Sequence, residues 1–428
     1  MLATRTSSSA VRIARRSFAS VSESAAGFKV AAVDNNQPTS AVTLLFKAGS
    51  RYETKPGVAS ALKNFAFKST AKRSALGTVR EAELYGGQLS ATLTREHLAL
   101  TAEFLRGDEE FFVDVLTSFA TSGKFTRHEF EEYVEPTVKG DAEAAQSNPA
   151  IQAVDLAHAL AFRNGLGSSL FAPSSSHITH EDVKAYAATA FAKGNVAVLG
   201  SGISQETLTK LVEKSFGSSS TTGSAPQTKN SSYFGGETRL DGHGGLQTVF
   251  IGFGVAGAPS GDLAVLNAHL STTPSIKWSK GLSPIAASIP AGASVQTVYL
   301  PYSDASLFGF LVQAETAEGV TQAGQAAIKA LKEATSGKGI AEEALKSAVA
   351  KAKFTAANAV EGREGLFTTL GGKVLQGQDA NASSVTAAFD GVNASSFAKA
   401  ASELVKTKPT FVAIGNTSAL PYSDELGL

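Results

Sequence analysis

The sequence predicts an α+β fold of two homologous domains, each a mixed or antiparallel sheet packed with helices. Three observations lead there. Each half of the chain opens on an alternating apolar strand, "SAVTLLFKAGSRYE" at 40–53 and "LQTVFIGFGVAGAP" at 246–259. A helical pattern follows each strand, "GVASALKNFAFKST" at 57–70 and "GDLAVLNAHLST" at 261–272. Each half then closes on helix, turn and strand, "YAATAFAKGNVAVLGSG" at 186–202 and "FAKAASELVKTKPTFVAIGNT" at 397–417, with Gly200 and Gly415 ending the matching strands. A repeated order of elements with little identity between the copies reads as a duplicated unit.

Taken in chain order, residues 1–18 stand apart. Arg5, Arg12, Arg15 and Arg16 share one helical face, Val11, Ala14 and Phe18 line another, and no acid occurs before Glu23. A basic, Ser-rich, acid-poor amphipathic start is the composition of a mitochondrial presequence. "RSFAS" resembles a matrix-peptidase cleavage motif, with Arg16 two residues before a cut after Phe18, so the mature chain is expected to begin near Ala19. The first domain is expected over 19–217. Within it, "TVREAELYGGQLSATLTREHLALTAEFL" predicts a helix stopped at Gly86-Gly87 and then a hairpin. "GDEEFFVDVLTSFATS" predicts a helix opened by acids that complement its dipole. Thr179 and Asp182 stand at capping-box spacing before "VKAYAATAF". A linker is expected over 218–236, where "SSSTTGSAPQTKNSS" is small, polar and of low complexity. The second domain is expected over 237–428, with Ala-rich helices in "TQAGQAAIKALKEATSG" and "IAEEALKSAVAKAKFTAANAVEG".

Composition excludes several functions. The chain has 428 residues, 43% of them hydrophobic, and its 38 basic side chains balance its 38 acids, so no net field draws it to nucleic acid or anionic lipid. Cysteine is absent, which excludes disulfides, thiolate-bound zinc, iron–sulfur clusters and a thiol nucleophile. No apolar run is long enough to span a bilayer. "HITHE" at 177–181 sets two His beside a carboxylate, but His177 and His180 straddle a helix start and read as loop and cap residues. "GREGLFTTLGGKVLQG" at 362–377 lacks the Ser or Thr that a phosphate loop places after its Lys, since Val374 follows Lys373.

The helix at 57–70 carries the most specific signal. Val58, Ala61, Leu62 and Phe65 form an apolar stripe, and Ser60, Lys63 and Asn64 fall together at i, i+3 and i+4. The stretch resembles the inverted H-x-x-E-H helix of the pitrilysin-like zinc peptidases, a family that includes the mitochondrial processing peptidases. Gly57, Ala59, Leu62, Phe67, Lys68 and Thr70 keep the family's frame. The resemblance places the two His positions on Ser60 and Asn64 and the general base on Lys63. Counting along the chain places the third ligand, a downstream Glu, on Gly140 and an accessory Glu on Tyr133. Zinc hydrolysis needs two imidazoles, a ligating carboxylate and a second carboxylate as base. A hydroxyl, an ammonium, an amide and a glycine supply none of these. No catalytic, cofactor-binding or metal-binding residue is therefore assigned to the chain.

Further stretches narrow the resemblance. "NGLGSSLFAPSSSHITHEDV", "YFGGETRLDGHGGLQTVFIGF", "LPYSDASLFGFLVQ" and the terminal "ALPYSDELGL" resemble the non-catalytic core subunits of the mitochondrial cytochrome bc1 complex, over nearly the whole chain after the presequence. That resemblance implies a peripheral subunit on the matrix side of the inner membrane, paired with core protein 1. It also implies cytochrome b, cytochrome c1, the Rieske iron–sulfur protein and small subunits as neighbours in a dimeric complex, and no cofactor of the chain's own. The alternative is a non-catalytic, substrate-binding α-type subunit of a processing peptidase. Such subunits carry a long Gly-rich loop, whereas the counterpart here, "STTPSIKWSKGLSPIAASI", has Gly281 alone.

Overall fold

A computed structural model describes residues 21–23, 27–34, 36–216, 229–242, 245–273, 283–335, 340–378, 380 and 382–428. The presequence residues Arg5 to Ala19, most of the expected linker and Gly281 lie outside the described residues.

The chain divides into two compact units. Unit 1 comprises 1–142, 170–228 and 356–386; unit 2 comprises 143–169, 229–355 and 387–428. Unit 1 holds β1 (Val21–Glu23), β2 (Lys29–Val33), β3 (Thr39–Phe46), β4 (Gln88–Leu93), β5 (Leu98–Leu105) and β6 (Val196–Ser201) in a six-stranded sheet of order β1-β2-β6-β3-β5-β4. Only β2 and β6 pair in parallel. Unit 2 holds β7 (Gly236–Asp241), β8 (Gln247–Ala256), β9 (Ala293–Pro301), β10 (Ala305–Ala314) and β11 (Thr410–Gly415) in the order β7-β11-β8-β10-β9. There, only β7 and β11 are parallel. Removing β1 leaves the same order and the same single parallel pair in both sheets, which is the structural form of the duplication.

The predicted helix signals appear where their chemistry places them. The helix Ala75–Leu84 stops before Gly86, whose φ of 66° only glycine adopts without strain. The helix Glu109–Ser122 carries Glu109 and Glu110 in its first turn. Thr179 caps His180–Ala190 in a complete capping box with Asp182. The glycine-bearing stretch at 362–377 is the helix Arg363–Leu375.

The strands of unit 1 alternate between two cores. Val30, Ala32, Val42, Leu44, Phe46, Val196 and Val198 face a large cluster built with the helices Val58–Asn64, Glu109–Ser122, His180–Ala190 and Gln205–Phe216. Ring pairs Phe28–Phe216, Phe46–Phe191 and Phe104–Phe112 fill it, with centroids 4.4, 4.6 and 4.6 Å apart. The interleaved residues Ala31, Val33, Ala41, Leu45, Ala197 and Leu199 face the other way, onto Leu366, Phe367, Leu370 and Val374 of the helix Arg363–Leu375. That helix belongs, by sequence, to the second half of the chain. Gly371 lets its backbone lie on the sheet, because a Cβ there would fall 2.6 Å from Leu45 and 2.8 Å from Leu199. The Lys29 ammonium donates to the Leu375 carbonyl at 2.5 Å, capping the helix at its negative end.

Unit 2 repeats the device with the opposite donor. The helix Pro149–Phe162, from the first half of the sequence, buries Ala153, Ala157, Ala161 and Phe162 with Phe250, Leu307, Val412 and Ile414. The compact units are thus not the sequential halves: each takes a helical segment from the other half. Unit 2 also anchors its C-terminal segment. Arg239 of β7 donates to the carbonyls of Pro421, Leu420 and Thr417 at 2.9, 2.7 and 2.5 Å and stacks 3.9 Å from the Tyr422 ring centre.

Candidate functional site

The site helix spans Val58–Asn64. Its start is fixed by Gly57, at φ 87°, where a Cβ would sit 2.4 Å from the Ala172 side chain. The Glu53 carboxylate accepts from the Gly57 amide at 3.0 Å. Burial pushes the Glu53 carboxyl up to about 7, against the lowering pull of the Gly57 and Ala59 amides and of Arg95. Lys55 pairs with Asp182 at 2.8 Å, tying the turn before the site helix to the capping box of His180–Ala190. That bond, with the Thr179 hydroxyl, holds the Asp182 carboxyl below its usual range. The apolar stripe is fully used: Val58, Ala61, Leu62 and Phe65 are all buried, and Phe65 packs against Phe125 and Phe130.

The polar residues meet a second helix, Glu135–Ser147. Lys63 Nζ donates to Asp141 Oδ2 at 2.9 Å, and Asn64 Nδ2 reaches the same oxygen at 3.4 Å. Ser60 is buried, while Lys63, Asn64 and Asp141 are half-buried. Gly140 is exposed, and a Cβ placed there would meet nothing within 4 Å. Tyr133 is exposed too, with the Lys68 ammonium 5.1 Å from its ring centre. Lys63 and Asn64 therefore meet a carboxylate that sequence reasoning missed. Residue counting pointed to its neighbour in the chain, Gly140. Just upstream, Phe130–Val134 forms a π-helical turn that leads into this helix. The acid beside the counted position was the available signal.

Chemically, this arrangement is an ion pair with an amide beside it. The lone carboxylate is neutralised by an ammonium, and no imidazole accompanies it. Among the described residues, no three His, Cys, Asp or Glu side chains converge to hold a metal ion. His177 is exposed in the loop before the cap, and His180 is the first residue of its helix. His158 is buried between the Val154 carbonyl and the Tyr302 hydroxyl, at 2.6 and 2.7 Å. Among the described residues, no helix is long and apolar enough to cross a membrane.

Comparison with known proteins agrees with this geometry. Residues 29–174 match the family model of insulinase, peptidase family M16, and residues 177–352 match that of the M16 inactive domain. The chain is 49% identical to the mitochondrial cytochrome b-c1 complex subunit 2 of Cryptococcus neoformans, over 95% of this chain and 94% of that one. It is 36% identical to the protein of the same name from Yarrowia lipolytica, covering 94% and 95% of the two chains. With the human protein of that name the identity is 28%, over 94% and 90%. The chain belongs to peptidase family M16, in the group formed by the mitochondrial cytochrome b-c1 complex subunit 2 proteins.

Proposed function

We propose that this chain is a non-catalytic structural subunit of the mitochondrial cytochrome bc1 complex, required for assembly and stability of the complex that passes electrons from ubiquinol to cytochrome c. The observation that carries this reading is the near-full-length likeness to subunit 2 proteins, joined to a site helix whose metal positions are held by Ser60, Lys63 and Asn64. The Lys63–Asp141 bridge supports the same conclusion, because the polar face is already engaged in a structural contact. The chain keeps a peptidase fold and serves as scaffold. Electron transfer belongs to neighbouring subunits: cytochrome b, cytochrome c1 and the Rieske iron–sulfur protein. Core protein 1 is the proposed direct partner, with small subunits completing a dimeric complex. The proposed place is peripheral, on the matrix face of the inner membrane, after removal of residues 1–18 between Phe18 and Ala19.

Native purification of the tagged full chain from mitochondrial membranes tests this. Co-migration with cytochrome b and cytochrome c1 is the expected result. Co-migration instead with a partner bearing an intact H-x-x-E-H helix would overturn it in favour of the α-type processing subunit.

A further inference from the structure

The helix Glu342–Ala359 carries three lysines within unit 2, and they differ in what holds their ammonium groups. Lys346 pairs with Glu342 at 2.7 Å, and Lys353 pairs with Asp390. Lys351, between them, has no carboxylate partner among the described residues. Its Nζ donates to the Ser271 and Thr273 carbonyls at 3.2 and 3.3 Å, just past the end of the helix Gly261–Leu270. These are long bonds to neutral acceptors, whereas its neighbours bond to charged ones. The side chain is half-buried, with the Ser271 bond partly shielded and the Thr273 bond facing solvent. His269 stands in the last turn of Gly261–Leu270, its ring edge-on to Phe397 at 6.2 Å. Burial first, and then the Lys351 charge, push the His269 imidazole down, so near neutral pH it carries no charge.

An ammonium drawn partly out of water without a carboxylate loses hydration and regains little of it, so its free-amine form becomes easier to reach. Burial accordingly holds the Lys351 ammonium below its usual range. A carboxylate partner acts the other way, because it favours the protonated form, whose lone pair is occupied. A free primary amine open to solvent is a nucleophile toward acyl groups. We propose that Lys351 is a site of spontaneous acylation, at which the amine held by the Ser271 and Thr273 carbonyls takes an acyl group directly from a small thioester. The Nζ lone pair adds to the thioester carbonyl carbon and the C–S bond breaks. The leaving thiolate ends with the proton that the nitrogen gives up, so the products are an amide and a free thiol. Acylated Lys351 has one N–H and no charge, and keeps at most one of its two carbonyl bonds.

The experiment incubates the full chain with acetyl coenzyme A and reads initial acetylation at each lysine by tandem mass spectrometry. Lys346 and Lys353 serve as references on the same helix. In the folded chain Lys351 should acetylate at least about fivefold faster than either, although Lys346 is exposed and Lys351 half-buried. In concentrated urea the carbonyl cradle is gone and the three rates should converge. Equal or slower acetylation of Lys351 in the folded chain overturns the site. An advantage that survives in urea overturns it too, because local sequence would then be its cause. From about pH 8 to about pH 9.5 the folded-chain ratio should fall, as the reference lysines also begin to lose their protons. A ratio that holds constant or rises over that range would overturn the mechanism, since access rather than protonation would then set the rate.

Discussion

Leu370→Ala is the sharpest test of how unit 1 is held together. Leu370 is fully buried on the helix Arg363–Leu375 and packs into a cluster with Val33, Leu45 and Leu199 of the sheet. The site cannot collapse to fill the gap, because Gly371 already sets the helix backbone against Leu45 and Leu199. Truncation then removes the transfer free energy of the side chain and leaves a cavity, a loss of about 3 kcal/mol. That corresponds to roughly a hundredfold faster exchange of amides that open only with the whole unit. Hydrogen exchange followed by mass spectrometry reads it directly. Peptides covering β3 and β6 should lose protection by about that factor, while peptides covering β8 serve as the unmoved reference. Leu84→Ala provides the contrast, since the same residue type standing in water should change stability by less than about 0.5 kcal/mol. Equal small effects at both positions would refute the seating of this helix on the first sheet.

Other expectations follow from the same contacts. The half-exposed Lys63–Asp141 pair should show a coupling of about 0.3–1 kcal/mol in a double-mutant cycle of Lys63→Met and Asp141→Asn, read by urea denaturation; zero coupling would remove the bridge as a structural contact. Ser60→His, Lys63→Glu and Asn64→His combined with Asp141→Glu should bind zinc near one per chain by elemental analysis, and the same set with Gly140→Glu should bind less. The reverse order would show that Gly140, not Asp141, faces the site helix. Glu53 titrates higher folded than unfolded, so the folded state holds its proton more tightly. Stability should fall by up to roughly 3 kcal/mol between pH 4.5 and about 7 and level off above that, and Glu53→Gln should flatten this segment of the melting profile. Arg239→Ala should raise amide exchange in residues 416–428 by removing three carbonyl bonds and the Tyr422 stack, leaving β2 and β6 unchanged.

Much of this architecture is readable from residue order. "SAVTLLF" reads as a strand, which the structure buries on both faces, and Thr179 with Asp182 marks a helix start to the residue. What local pattern cannot carry is address. The apolar faces of Pro149–Phe162 and Arg363–Leu375 announce that each helix covers something, but nothing in their periodicity says that each covers the sheet of the other half. The site shows the same limit on a smaller scale. Replacement of the metal positions at Ser60, Lys63 and Asn64 is visible in the letters, whereas Asp141 as the partner of Lys63 and Asn64 depends on how a second helix packs, which no short motif announces. The outward Leu76, Val79 and Leu84 were equally hidden, because an apolar helix residue is expected to point inward until the fold shows otherwise.

The two traded helices also impose a schedule on the chain. A chain delivered from its N-terminus presents β2, β3 and β6 well before residues 366–374, so the face bearing Ala31, Val33, Leu45, Ala197 and Leu199 waits uncovered until most of the second half has arrived. During that interval the nascent first half is a sheet with one sticky side, the species that chaperones hold and aggregates recruit. The stretch that closes unit 1 precedes β11, the strand that unit 2 still lacks. Neither half of the sequence contains a complete unit, so each needs a segment of the other to cover its sheet.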